Sequence, residues 1–95
     1  MPLPARSIRY LESRNHGVIA HLEDGERFFA MPLTQAEKLV PAGMFRRCHI
    51  SYLVNLSYVR HASHAGVVLA DGQRLPMSRT FYSEFQKAVV HRLNI

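Results

Sequence analysis

Three short polar runs hold the side chains most able to do chemistry: Ser13-Arg14-Asn15-His16, Arg46-Arg47-Cys48-His49-Ile50-Ser51 and Ser78-Arg79-Thr80. Arginine and histidine read base edges in a duplex, and serine, threonine and asparagine tie a backbone to phosphate oxygens. Ten of the twelve cationic side chains are arginine. Its planar fork grips phosphate or guanine with two parallel hydrogen bonds, where lysine offers a point charge. Twelve Lys and Arg against seven Asp and Glu give a formal charge of +5, which suits a polyanionic partner and equally suits a solvated surface. The spacing of the three runs does not say whether they share a face, so ordinary polar turns stand as the plain alternative.

Other chemistries find less to stand on. No Gly-x-Ser-x-Gly elbow is present, and with seven acidic residues a Ser, His and Asp set is close to chance, so no catalytic residues are expected. The glycines at 17, 25, 43, 66 and 72 are isolated, which excludes a phosphate-cradling loop. His61-x-x-His64 has a ligand spacing and Cys48-His49 adds donors, but no zinc-type set of four can be written, and neither metal nor cofactor is expected. The single cysteine excludes an intrachain disulfide and points to a reducing cytoplasm. Arg46, Arg47 and a protonated His49 would favour the Cys48 thiolate, making it a candidate for oxidation beside the second run. A small buried strand residue is the preferred reading of Cys48, with oxidation the lesser alternative. No stretch approaches the roughly 18–20 apolar residues of a bilayer span, and MPLPARSIRY has no apolar signal core, so a membrane is not expected as a partner.

The elements that must position these runs read as mainly β. At 95 residues, 47% hydrophobic and 20% charged, the chain suits one globular domain over 1–95. Residues 8–12 alternate as a strand, 13–17 carry five residues of turn chemistry, and 18–22 form a second strand. Asp24-Gly25 signals a hairpin back through 27–31, placing the 13–17 turn at the far end from Asp24-Gly25. Thr34 and Glu37 have capping-box spacing ahead of a short helix that Pro41 and Gly43 stop. Residues 44–55 begin as a strand, and periodicity does not assign their end. Residues 67–70, Asp71-Gly72 and 73–77 repeat the hairpin grammar. From Ser78 a helix opens whose Phe81, Phe85, Ala88, Val89 and Leu93 recur at helical spacing as core.

Phe45-Arg46-Arg47-Cys48-His49-Ile50-Ser51-Tyr52-Leu53-Val54-Asn55 resembles the signature of LytTR-type DNA-binding domains, F-x-R-x-H-[RN]-S-[YF]-[LV]-V-N. Ile8-Arg9-Tyr10-Leu11-Glu12-Ser13 is similar to that family's I-x-Y-[IL]-E-[SA], and Leu69 to Arg79 to its L-x-D-G-x-x-[LI]-x-[VM]-S-R. The resemblance implies elongated antiparallel β-sheets with one short internal helix and a C-terminal helix. It further implies sequence-specific binding of duplex DNA by a bacterial transcriptional regulator module. Loops would enter successive major grooves, and dimers would sit on imperfect direct repeats at promoters. Position by position, base reading falls on His16, Ile50 and Arg79, and phosphate binding on Arg14, Asn15, Ser51, Ser78 and Thr80. Arg47 and Asn55 also fall at phosphate positions, although Arg47 reads equally as a pairing residue inside the fold. Tyr52, Leu53 and Val54 read as packing.

Two departures from the pattern matter. Ile50 stands where the family usually has Arg or Asn, which leaves only apolar contact, for instance with a thymine methyl. The family's first strand is either lost or shortened into residues 3–7. No receiver or sensor segment is evident, so the expectation is an excised output domain or a free-standing regulator. A function of another class therefore competes, a small interaction protein that pairs with a LytTR-type activator and blocks it.

Overall fold

Period-two alternation and two tight turns fold the first part of the chain into a meander of β1 (Ile8–Arg14), β2 (Gly17–Leu22) and β3 (Gly25–Phe29). The structure is a computed structural model that describes residues 2–93; Met1, Asn94 and Ile95 lie outside the described residues. Helix α1 (Leu33–Leu39) leads to a second hairpin of β4 (Phe45–His49) and β5 (Tyr52–Asn55). Antiparallel pairing of β5 with β1 joins the two into a five-stranded sheet ordered β3-β2-β1-β5-β4. A three-stranded antiparallel sheet of β6 (Val59–Ser63), β7 (Gly66–Leu69) and β8 (Arg74–Leu75) follows, and α2 (Arg79–Leu93) closes the described chain.

The two faces of the large sheet bury two cores. Leu11 lies opposite Leu53 on one face, where Val18, Ala20, Leu22 and Phe45 pack on Leu33 and Ala36 of α1. Tyr10 and Val54, one position along, face the other way onto Val67, Leu69, Leu75 and Phe85 of the small sheet and α2. Register shifts adjust the pattern at two places. One at Arg9 lets Ile8 and Leu11 share a face, and one at Cys48 turns that side chain into the second core.

Several local expectations shift. Ser13 and Arg14 continue the β1 ladder opposite Val18 and Gly17, so the first turn is two residues rather than five. The Phe28 ring lies over Gly17, where an added Cβ would meet it at 2.3 Å. The second turn is Glu23-Asp24, with Gly25 at φ 142° starting β3, so that strand runs two residues earlier than expected. Pro32 is the cap residue of α1 and no side chain caps it. Thr34 is already inside the first turn, so no capping box forms. Residues 5–7 form a 3-10 turn rather than a strand. Strand β6 escaped the sequence reading. On α2, Phe85 is buried and Ala88 and Val89 pack against the core, but Leu93 is exposed, because the last turn carries it clear of the sheets.

Candidate nucleic-acid interface

The first polar run forms the tip of the β1–β2 hairpin. Asn15 and His16 both adopt left-handed backbone, φ 53° and 61°, as a two-residue type I′ turn requires at both central positions. Asparagine and histidine enter that conformation more readily than most side chains, at a cost that glycine does not bear. Both side chains are exposed. Behind them Arg14 lays its guanidinium on Glu12, with Nε and Nη2 donating at 3.1 and 2.8 Å, and this hydrogen bond, then the carboxylate charge, raises the arginine's pKa. Glu12 also meets His21 Nε2 at 2.8 Å, and the His21 ring stacks on Tyr10 with centroids 4.1 Å apart.

The second run forms the β4–β5 turn at Ile50-Ser51. Its backbone is pinned by three hydrogen bonds. Arg47 Nη1 donates to Ile50 O at 2.7 Å, Ser51 N donates to His49 Nδ1 at 3.1 Å, and Ser13 N donates to Ser51 O at 2.9 Å. Arg47 Nη2 also pairs with Glu37 of α1 at 3.2 Å. Ile50 itself is 67% exposed. Burial, and then nearby Glu12, pushes the Tyr52 phenol up, keeping it protonated beneath the turn.

The third run leads into α2. Ser78 N donates to Cys48 O at 2.8 Å, tying this segment to the register shift in β4, and Ser78 Oγ accepts from Thr80 N at 3.3 Å. Arg79 and Thr80 are exposed, and Arg79 forms no ion pair among the described residues.

Two backbone hydrogen bonds, Ser13 to Ser51 and Cys48 to Ser78, therefore bring all three runs to one end of the molecule. The hairpin tips stand two strand spacings apart, about 10 Å. The β1–β2 tip reaches beyond the β4–β5 turn by about two residues, or ~7 Å. At the other end of the sheet lie Glu23 and Asp24 of the β2–β3 turn, and Asp71 pairs there with Arg9, which also donates to Leu22 O. Three of the seven carboxylates thus sit away from the three runs, while Glu26 lies within electrostatic reach of Arg14.

The LytTr DNA-binding domain profile matches residues 1–89. The chain belongs to the LytTR family of DNA-binding domains. It is 28% identical over 93 residues to the transcriptional regulatory protein BtsR of Escherichia coli K12, covering 92% of this chain and 38% of BtsR. It is 33% identical over 60 residues to the sensory transduction protein LytT of Bacillus subtilis, covering 58% of this chain and 25% of LytT. A solved LytTr DNA-binding domain of a Bacillus cereus response regulator superimposes with a TM-score of 0.81 at 26% identity, covering 94% of this chain and 86% of that one. The chain spans well under half the length of the curated regulators it matches.

Within this LytTR domain the expected site residues divide. His16, Asn15, Ile50, Arg79 and Thr80 are exposed at the shared end, with Ser51 and Ser78 half-buried beside them. Arg14 is half-exposed and held by Glu12, whereas Arg47 commits its fork to Ile50 O and Glu37. One expectation needs correction, and for Cys48 the redox alternative gives way to the preferred buried reading. Asn55 is fully buried, its Nδ2 donating to Ile8 O at 2.9 Å and its Oδ1 accepting from Ser57 N at 2.9 Å, so it braces β5 and is out of reach of a phosphate. Cys48 is likewise fully buried, and burial pushes its thiol up to about 12, which disfavours the thiolate that oxidation needs. Sequence reasoning missed Glu12 and His49. Glu12 could have been found, since i, i+2 spacing on a strand puts it on the face of Arg14.

Proposed function

We propose that this LytTR domain binds duplex DNA sequence-specifically as the output module of a bacterial transcriptional regulator, acting in the cytoplasm. The observation that carries the reading is the convergence of Asn15-His16, Ile50-Ser51 and Ser78-Arg79-Thr80 at one end through the Ser13–Ser51 and Cys48–Ser78 backbone hydrogen bonds. In this reading Arg79 and His16 contact base edges from the major groove. Asn15, Ser51, Ser78 and Thr80, with the Arg14 fork, hold phosphates. Arg47 acts one step back, fixing the second turn. Repeats one helical turn apart, ~34 Å, leave room for one domain with a longest dimension of 32 Å on each. Two copies on a direct repeat would then lie on the same side of the duplex.

Selection from a random duplex pool at fixed salt, followed by mobility-shift titration, tests this. A recovered consensus bound far more tightly than scrambled DNA supports it. Equal binding to every duplex, or none, overturns it and leaves the interaction-protein reading.

A further inference from the structure

We propose that Ile50 makes this domain a reader of the pyrimidine C5-methyl group, the feature shared by thymine and 5-methylcytosine in the major groove; this rests on the DNA-reading function proposed above. The two polar side chains flanking Ile50 on β4 are turned to other work, Arg47 on Ile50 O and Glu37, and His49 Nδ1 on Ser51 N. Ser51 is half-buried, and its backbone is held by Ser13. What the turn presents to the outside is an aliphatic side chain, 67% exposed, between the polar tips at Asn15-His16 and at Arg79.

An aliphatic group neither donates nor accepts a hydrogen bond, so it distinguishes base pairs only by apolar surface. In the major groove the one such feature is the methyl on pyrimidine C5. Facing unmethylated cytosine, the same side chain finds no methyl to cover and forfeits that apolar contact. The turn suits the task mechanically. Its backbone is pinned by three hydrogen bonds, and a β-branched side chain is stiff at χ1, so little freedom remains to be lost on contact. Burying one methyl group corresponds to about fourfold in affinity.

The test uses the intact domain, a duplex taken from selection, and the variant Ile50→Ala, whose melting temperature should match wild type because the side chain is exposed. Each thymidine is replaced in turn by deoxyuridine, which removes only the methyl. The expected result is one position per site where wild type loses about fourfold and Ile50→Ala loses nothing. With cytidine at that position, 5-methylation should restore a similar factor to wild type alone. Restoration assigns the contact to the methyl whichever base carries it, and a response at thymine only assigns it to thymine. If a selected duplex is bound but every deoxyuridine substitution is silent, or the loss persists undiminished in Ile50→Ala, the methyl-reading role is overturned while DNA reading stands. If no duplex is selected, both fall together.

Discussion

Asn55 closes the signature segment, at a position where the resemblance implies a phosphate contact, and the structure makes it a buried brace instead. Replacing it tests that difference. Asn55→Ala deletes a donor to the carbonyl of Ile8, itself buried, and an acceptor for the amide of Ser57. An orphaned buried carbonyl costs roughly 1–3 kcal/mol, and the second bond, whose amide belongs to an exposed residue, about 0.5–1.5 kcal/mol. Together the loss is about 2–4 kcal/mol. In a domain of this size each kcal/mol moves the melting temperature by about 4–8 °C, so a fall on the order of 10–30 °C is expected. Thermal melts followed by circular dichroism measure it. Mobility shifts run well below the melting point should show the folded variant binding DNA with nearly wild-type affinity. A melting temperature within about 2 °C of wild type, less than the smallest loss above allows, combined with a large loss of affinity, would refute the reasoning and return Asn55 to the interface.

Three further perturbations follow from the same geometry. His16→Gly should raise the melting temperature by a few degrees, because Asn-Gly is the preferred type I′ pair, and should weaken cognate DNA; an unchanged affinity would remove His16 from the contacts. Glu12→Gln frees the Arg14 fork, so duplex affinity should rise and the plot of log affinity against log salt should steepen by up to about 0.9, whereas an unchanged slope would show Arg14 away from phosphate. Because the folded-state pKa of Cys48 is raised from 9.0 to about 12, its contribution is fully present below pH 9 and is lost as pH rises toward 12. The alkaline decline in melting temperature should therefore be shallower in Cys48→Ala, and identical profiles would contradict the burial of the thiol.

Strands with a clear period and turns with glycine were legible in the sequence, which is why the β1–β2–β3 meander and the β7–β8 hairpin were anticipated. The β4–β5 hairpin was not, because the register shift at Cys48 breaks the alternation, and because Ile50-Ser51 carries none of the glycine or asparagine that marks a tight turn. The turn is specified instead by Arg47 and His49 side chains, through contacts that appear only once the chain is folded. Family motifs located the three runs, but motif membership does not distinguish a residue facing DNA from one facing inward. Asn55 and Ser51 stand four positions apart in one motif, and only burial separates their roles. The gathering of the runs at one end was invisible for a simpler reason: it depends on two backbone hydrogen bonds between segments distant in sequence.

Arg79 offers the most direct measurement. It is exposed at the shared end, without an ion-pair partner among the described residues, and a bidentate arginine on guanine discriminates by roughly 1–3 kcal/mol, or about 5- to 150-fold. The ratio of affinities for selected and scrambled duplex, taken at one salt concentration for wild type and Arg79→Ala, should collapse by a factor in that range while the melting temperature stays put. If both duplexes weaken in parallel and the ratio is preserved, Arg79 is a phosphate clamp, and reading of sequence from this end of the molecule is contradicted.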